Sequence, residues 1–262
     1  MNTTSFPAIF VSHGSPMQAL NGGTTAAAWR TLAAELPRPR AVLVISAHWE
    51  TATPRVGGAS APATIHDFGG FPEPLFRIQY RAPGAPWLAE RVRDLLTDAG
   101  FESEVDGGYG LDHGAWVPLR EMYPAADVPV AQLSIQPTLG PAHHLALGSA
   151  LAPLRAEGVL VVASGSLTHN LRDWRPDAND AAVPAYVSRF QEWMHDALTR
   201  RDVAALVEYR RRAPDAARAH PSDEHLLPVF VAMGAGGPSP VVRRRHDAIV
   251  EGALAMDLYT FD

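Results

Sequence analysis

The chain lacks two residue types completely, cysteine and lysine. None of its 262 residues is a cysteine, and all 22 of its basic side chains are arginine. The absence of thiols excludes disulfides, cysteine nucleophiles, Cys-ligated zinc and iron–sulfur clusters. The absence of lysine excludes Schiff-base catalysis and the phosphate-binding P-loop. Eleven histidines remain as the most versatile side chains for catalysis and metal binding.

The chain also has little that would direct it to a membrane or a nucleic acid. Its net charge is −6. No apolar run approaches the roughly 18 residues of a membrane span, and no basic segment precedes the first apolar stretch. We therefore expect a cytoplasmic protein with no nucleic-acid or membrane partner. A hydrophobic content of 47%, without repeats or a dividing linker, predicts one domain over residues 1–262.

Strand-like and helix-like segments alternate along the chain, which predicts an α/β fold. We expect a single domain with a central mixed, largely parallel β-sheet flanked by helices, and an active site at the carboxyl ends of the strands. The predicted strands are 9–11, 40–47, 76–80, 102–106, 128–135, 158–163 and 248–259. The predicted helices are 24–36 with Thr25 as a cap, 86–98, a short one towards Tyr123, 141–155, 182–198, 203–212 and one capped by Ser222.

One long segment, residues 51–75, has the composition of a loop. Loops of this length within a compact domain are usually functional or disordered. Phe68 and Phe71 argue against disorder, so we predict a flap that packs over another part of the molecule. The basic runs Arg210–Arg212 and Arg243–Arg245 are expected at solvated ends of helices or loops.

Several histidines occur where a predicted element begins or ends. His13, His48 and His169 follow strands, His113 follows a glycine-rich turn, and His225 stands at a helix start. Such positions surround the ligand crevice of an open α/β sheet, and three neutral imidazoles suffice to hold a divalent metal with open coordination positions. The set therefore indicates a metal site. The histidines in helical or near-terminal surroundings are interpreted as structural: His143, His144, His195 and His246.

Five motifs of the chain resemble those of a known family. They are Ser12–Pro16 (Ser-His-Gly-Ser-Pro), Ser46–Trp49 (Ser-Ala-His-Trp), Thr64–Pro72 (Thr-Ile-His-Asp-Phe-Gly-Gly-Phe-Pro), Asp112–Trp116 (Asp-His-Gly-Ala-Trp) and Glu224–Pro228 (Glu-His-Leu-Leu-Pro). In kind and in order they are similar to motifs of the class III extradiol ring-cleavage dioxygenases, and most similar to the branch that contains 4,5-DOPA extradiol dioxygenase. The resemblance extends from about residue 8 to 260.

The resemblance implies roles for five histidines. His13, His48 and His225 would hold a non-haem iron(II), with zinc as the other metal to consider. His169 would be an acid/base beside the metal or a further ligand to it. His113 would form a hydrogen bond to the substrate or to bound oxygen. The implied reaction is the cleavage of a catechol by O2 beside its two hydroxyls, which opens the ring to a semialdehyde.

Two features of these motifs leave alternatives open. The broader superfamily uses two histidines and a glutamate, whereas here His225 takes the last place and Glu224 precedes it. His66 and Asp67 would either contact the remote group of the substrate or brace the loop that carries them. The oligomeric state is also open, with a homo-oligomer as one option.

Two other functions would use the same histidines. One is a zinc-dependent hydrolase with a metal-bound water as its nucleophile. The other is a non-catalytic relative that binds a metal or a catechol without turnover. Oxygen uptake with a catechol under ferrous iron separates the dioxygenase from both.

Overall fold

The computed structural model of the protein describes residues 5–176 and 183–262. The strands in these ranges are β1 Ala8–Ser12, β2 Ala41–Glu50, β3 Arg55–Gly57, β4 Glu104–Asp106, β5 Val130–Ile135, β6 Val159–Gly165, β7 Val242–His246, β8 Ile249–Val250, β9 Leu254–Ala255 and β10 Leu258–Phe261. Eight of them form one sheet in the order β4-β3-β5-β2-β6-β1-β10-β7, and β8 pairs with β9 in a small hairpin.

Helices cover both faces of this sheet. They are α1 Gln18–Asn21, α2 Gly23–Glu35, α3 Glu73–Phe76, α4 Pro86–Asp98, α5 His113–Met122, α6 Gly140–Leu151, α7 Ala185–Arg200, α8 Val203–Val207, α9 Tyr209–Arg212, α10 Ala216–Ala219 and α11 Leu227–Ala235. Short 3-10 turns at Pro137–Leu139 and Ala152–Glu157 flank α6. The predicted helix 182–198 corresponds to α7, and its first residue lies outside the described ranges.

The central strands are apolar on both faces because helices cover both faces. Successive side chains of a strand point to opposite sides. Accordingly Phe10 of β1 packs in the layer with α4, α6, α7 and α11, whereas Ile9 and Val11 pack in the layer with α2 and α5. Burying each such side chain contributes roughly 1.5–3 kcal/mol. A parallel strand that is covered by helices on both faces is therefore apolar at every position, and does not alternate between apolar and polar residues.

The four central strands bring their carboxyl ends to one edge of the sheet. β6 pairs in parallel with β2 on one side and with β1 on the other, and β2 also pairs in parallel with β5. The antiparallel pairs β1–β10, β10–β7 and β3–β5 make the sheet mixed. The segments that follow β1, β2 and β6 therefore emerge side by side, at the point where ligands bind in open α/β sheets.

The predicted α/β class is confirmed, but several local predictions are wrong. Residues 76–80 do not form a strand, because α3 ends at Phe76 and Tyr80 N instead donates to Thr64 Oγ1 (2.9 Å). Ser222 caps no helix, since α11 begins only at Leu227. In the segment 51–75, the short strand β3 and the helix α3 interrupt the predicted loop.

Tertiary contacts also override local predictions towards the two ends of the chain. The predicted strand 248–259 is divided into β8, β9 and β10, because a turn with positive φ at Glu251 (51°) and Gly252 (77°) folds the first two into a hairpin. Arg243–Arg245 lies in the edge strand β7 rather than at a solvated end. Thr25 lies inside α2, where its Oγ1 contacts His246 Nε2 (3.0 Å) instead of capping the helix.

Two further differences concern helix and strand length. The predicted helix 203–212 is divided into α8 and α9, and β2 continues through His48 to Glu50. His48 is thus carried by the strand itself and not by the loop after it. Within the described residues, no helix is long and apolar enough to cross a membrane.

Candidate active site and metal centre

Three histidines from distant segments bring their Nε2 atoms together at the carboxyl edge of the sheet. His13 follows β1, His48 lies near the end of β2, and His225 precedes α11. Nε2 of His48 lies 3.0 Å from Nε2 of His13 and 3.3 Å from Nε2 of His225. Nitrogens that each bind one ion at about 2.1 Å are themselves about 3.0–3.4 Å apart. The distance from His48 to each of the other two histidines is therefore that of two ligands to one metal ion.

The far side of the His13 ring is held by a serine. Ser164 Oγ, at the end of β6, donates to the backbone oxygen of Gly114 (2.5 Å). Its only hydrogen is used there, so Ser164 Oγ accepts from Nδ1 of His13 at 2.9 Å. His13 consequently carries its proton on Nδ1, and its Nε2 presents a lone pair to the other two histidines.

Carboxylates face the Nδ1 atoms of the other two rings. Nδ1 of His225 lies 3.0 Å from Oε1 of Glu224, and Nδ1 of His48 lies 3.3 Å from Oδ2 of Asp67. An ionised carboxylate only accepts hydrogen bonds, so His225 carries its proton on Nδ1, and the charge of Asp67 faces Nδ1 of His48. Such outer partners fix the tautomer and the orientation of metal-binding histidines.

Burial keeps these imidazoles neutral. Desolvation, reinforced by the neighbouring histidines, lowers the pKa of His48 to about 3. The same causes hold the pKa of His13 and of His225 well below the usual 6.5. Three neutral imidazoles with Nε2 lone pairs that face one another are a donor set that fits iron(II) or zinc(II). Their exposed side opens onto a cavity, which leaves room for further ligands.

Two glycines allow the backbone to bring these histidines so close. A Cβ on Gly165 would lie 2.1 Å from the backbone oxygen of His225, which accepts a hydrogen bond from Ser166 N at 2.8 Å. A Cβ on Gly114 would lie 2.5 Å from Ser46 Oγ and 3.1 Å from Cδ2 of His48. A side chain at either position would displace a histidine of the cluster.

His113 stands beside the three histidines, at the first residue of α5. Its ring centroid lies 4.0 Å from that of His48 and 5.3 Å from that of His13. Asp67 contacts His113 through both of its carboxylate oxygens. Oδ1 accepts a hydrogen bond from the backbone N of His113 (2.9 Å), and Oδ2 lies 2.9 Å from its Nδ1. Burial alone raises the pKa of Asp67, but its hydrogen bonds and charge interactions with His113 and His48 outweigh burial and lower it to about 2.

His169 lies against His225 from the loop after β6. The two rings are stacked, with centroids 3.5 Å apart and an angle of 11° between their planes. Nδ1 of His169 lies 3.9 Å from Glu224 Oε1, too far for a hydrogen bond. Burial lowers the pKa of His169 to about 4, which leaves the ring neutral and able to accept a proton.

His66 has a different environment from its neighbour Asp67. Its Nε2 lies 3.0 Å from the backbone oxygen of Ile78, and its ring packs against Phe68, Phe76 and Trp116. It does not line the cavity in the described structure, whereas Asp67 does. Of the two alternatives for His66, these contacts support the bracing of the loop.

The cavity in front of the histidines has a volume of about 410 Å³. Besides the histidines and Asp67, it is lined by an apolar wall of Pro16, Phe68, Phe71, Leu171, Trp174 and Leu254. The two phenylalanines come from the predicted flap. Pro16 belongs to the first motif, whereas Leu171, Trp174 and Leu254 were missed because they come from segments that carry no sequence motif. Ser164 was missed for a similar reason, since only the fold brings it behind His13.

The chain is similar to known proteins over nearly its whole length. Residues 7–254 match the family described as the catalytic LigB subunit of aromatic ring-opening dioxygenase. The chain is 44% identical to a 4,5-DOPA dioxygenase extradiol of Beta vulgaris over 96% of this chain and 95% of the relative. It is 38% identical to that of Escherichia coli K12 over 98% and 94%. A crystal structure of an uncharacterized E. coli K12 protein superposes with a TM-score of 0.83 at 34% identity, covering 98% of this chain and 99% of the other.

Proposed function

Because the chain belongs to the family of aromatic ring-opening dioxygenases and is a class III extradiol dioxygenase, we propose that it opens a catechol at the three-histidine site. Both atoms of O2 enter the product, the carbon–carbon bond beside the diol breaks, and the ring becomes a semialdehyde. The whole chain, residues 1–262, would serve as one catalytic domain. The observation that carries the proposal is the approach of the Nε2 atoms of His13 and His225 to Nε2 of His48, with a hydroxyl or a carboxylate facing Nδ1 of each ring.

In this proposal His13, His48 and His225 hold the metal, with iron(II) as the functional ion and zinc as an ion that would bind without supporting turnover. The iron, when bound, would lower the pKa of catechol hydroxyls that chelate it and would bring O2 next to the electron-rich ring. The protein supplies the rest of the chemistry through the side chains around that position.

His169 is assigned as the base rather than as a ligand. An imidazole lone pair lies in the plane of its ring. Because the His169 and His225 rings are stacked almost parallel, the lone pairs of the two rings lie in separate planes and do not converge on one point. A neutral His169 at the cavity wall is suited to take a proton from a catechol hydroxyl.

His113 is assigned to a hydrogen bond with the reacting oxygen atoms. Because its Nδ1 proton faces Asp67, its Nε2 is an acceptor when the ring is neutral and a donor only when the ring is an imidazolium. Asp67 orients the ring of His113 through this contact and faces Nδ1 of His48, so we assign Asp67 a positioning role rather than a contact with the substrate.

Anaerobic loading with ferrous iron, followed by a panel of catechols in air, tests the proposal. We expect one iron per chain, oxygen uptake equal to the catechol consumed, and a visible absorption band from the semialdehyde. The zinc-loaded protein is the matched control and should bind the catechol without taking up oxygen. An iron-loaded protein that takes up no oxygen with any catechol would refute the proposal.

A further inference from the structure

His220 is a fully buried histidine that does not line the cavity in the described structure. Its Nε2 lies 2.8 Å from the backbone oxygen of Leu167. Because a carbonyl only accepts hydrogen bonds, Nε2 carries the proton of the ring and Nδ1 is an acceptor. Nδ1 has no hydrogen-bond partner among the described residues, and burial lowers the pKa of His220 to about 4, so the ring is neutral. Its hydrogen bond therefore ends two residues before His169.

The segment of residues 219–225 surrounds His169 in three ways. The backbone N of His169 donates to Ala219 O at 2.9 Å. His220, the next residue, donates to the loop two residues before His169. The segment ends at His225, whose ring lies 3.5 Å from that of His169, centroid to centroid. One continuous stretch of chain thus contacts the proposed base through its backbone, through its loop and through its ring.

Thr168, the residue before His169, is held by a different element. Its Oγ1 donates to Ala253 O at 2.7 Å and accepts from Ala255 N at 2.8 Å, and both partners belong to the β8–β9 hairpin. The hairpin therefore fixes the side chain of Thr168. The orientation of the peptide group before Thr168 depends on another contact.

That contact is the hydrogen bond from His220 to the carbonyl of Leu167. Leu167 is fully buried, so its carbonyl would not turn to water if the donor were removed. An unpaired buried carbonyl is costly, and rotation of the peptide towards another donor would relieve that cost. Such a rotation would move His169 from its position against His225. A displacement of about 1 Å in an active site can lower a rate about 100-fold.

From these contacts we infer that His220 is a positioning residue that holds His169 in place as the base. It acts through the carbonyl of Leu167 and has no contact of its own with the cavity. This inference rests on the proposed function and adds to it the group that sets the geometry of the proton transfer. The unpaired Nδ1 supports it, since packing alone would not require a buried ring whose second nitrogen has no partner among the described residues.

A pair of amide substitutions tests the role of the Nε2 donor. In His220→Gln the side-chain Nε2 replaces the imidazole Nε2, so kcat should stay within about three-fold of wild type. In His220→Asn the side chain is one methylene shorter and loses the bond to Leu167, so kcat should fall about ten-fold or more. Metal content and the Kd of the zinc-loaded protein for catechol should stay within about three-fold of wild type in both. Full kcat or a loss of metal in folded His220→Asn would overturn the inference.

A double-mutant cycle separates this role from a general effect on folding. A residue that acts through His169 should have no further effect on the reaction once His169 is removed. We therefore expect His220→Asn to lower kcat less than two-fold in the His169→Ala background. His144→Asn is the matched control, because His144 is equally buried and bonded to the backbone, and it should lower kcat less than two-fold in either background. Equal losses from His220→Asn in the two backgrounds would overturn the inference.

His220→Leu provides a second test of the same hydrogen bond. It removes the donor but leaves no polar nitrogen in the buried site, so it stays informative if the asparagine variant folds poorly. We expect kcat to fall about ten-fold or more with metal content at the wild-type level. Wild-type turnover in folded His220→Leu would overturn the inference. A wild-type protein that takes up no oxygen with any catechol would instead refute the proposed function.

Discussion

The three-histidine cluster and the His143–His144 pair on α6 have nearly the same ring spacing. The centroids of His13 and His48 lie 5.0 Å apart, and those of His143 and His144 lie 5.1 Å apart. In the cluster, two Nε2 atoms face each other at 3.0 Å. In the pair, the nitrogens are turned to other partners, so equal proximity does not produce a metal site.

The hydrogen bonds of the pair explain the difference. Nδ1 of His144 lies 2.7 Å from the backbone oxygen of Gly140, and Nε2 accepts from Gln136 N at 3.2 Å. Nε2 of His143 contacts Gln136 Oε1 at 3.1 Å. The backbone thus uses both nitrogens of His144, whereas the cluster histidines face a hydroxyl or a carboxylate through Nδ1 and one another through Nε2. A metal site needs imidazoles whose second nitrogen the fold leaves available.

The largest effect on metal binding and turnover is expected from the removal of a cluster histidine. His13→Ala or His48→Ala should abolish bound metal and reduce catechol cleavage by about a thousand-fold or more, because the metal supplies several kcal/mol to the reaction. Elemental analysis and oxygen uptake measure the two effects. His143→Ala should retain both metal and turnover. Full activity in either cluster variant would contradict the assignment of the ligands.

Removal of His169 separates a base from a ligand. His169→Ala should retain one metal per chain and lose turnover by about 10²–10⁴-fold, the usual contribution of general acid–base catalysis. The measurement is kcat in protein of known iron content. Loss of the metal itself would show that His169 binds the ion, contrary to the stacked geometry with His225.

Substitution of a residue that contacts Nδ1 of these rings should have an intermediate effect on metal affinity and activity. Asp67→Asn weakens the acceptor that His113 and His48 share, and we expect about a 10–100-fold loss of metal affinity or activity. Metal titration and kcat/KM measure it. Asp98→Asn, at the end of α4, is a suitable control. Wild-type affinity and activity in Asp67→Asn would show that the tautomers do not depend on this carboxylate.

The smallest effect on catalysis is expected for a substitution in the His143–His144 pair. His144→Asn should leave turnover within two-fold of wild type, since His144 does not line the cavity. It should lower the free energy of unfolding by about 1–3 kcal/mol, because buried backbone partners lose their hydrogen bonds. Denaturant unfolding measures this cost. A large loss of activity would show that α6 is coupled to the metal site.

The contribution of His144 should also depend on pH. Burial lowers its pKa in the folded protein to about 4, below the usual 6.5, so the unfolded chain binds more protons between these values. The stability that a neutral His144 provides is therefore fully present above about pH 6.5 and is lost as the pH falls towards 4. The difference in unfolding free energy between wild type and His144→Asn should shrink over that interval. A constant difference would contradict the shift.

The sequence predicted the elements near the site well where short-range signals are strong. The helix 86–98 was predicted with its observed bounds, and the buried runs around β2, β5 and β6 were recognised from their apolar residues. The errors occur where distant contacts override local preference. Residues 76–80 have a strand-like composition, but hydrogen bonds to Thr64 and His66 hold them as irregular chain.

Of the five histidines that line the cavity, the motifs contain four, and His169 was identified from its position after a predicted strand. The motifs also contain Asp67 and Glu224, but not Ser164, which holds His13 from behind. Ser164 lies 151 positions from His13, and Glu251 lies 236 positions from Ser15. No local pattern records such a pairing, because it exists only after β1, β6 and the β8–β9 hairpin have packed together.

By itself, the sequence determined the α/β class, the family and which histidines lie at the cavity. Apolar periodicity and short motifs carry this information because they are local properties of a chain. Only the tertiary structure decided which nitrogen of each histidine faces the centre and which side chains form the wall of the cavity. Tautomer, ring plane and wall composition depend on hydrogen bonds and packing between distant segments. His13 and His144 are the same residue type, and the fold leaves Nε2 available to face the site in one and bonds it to the backbone in the other.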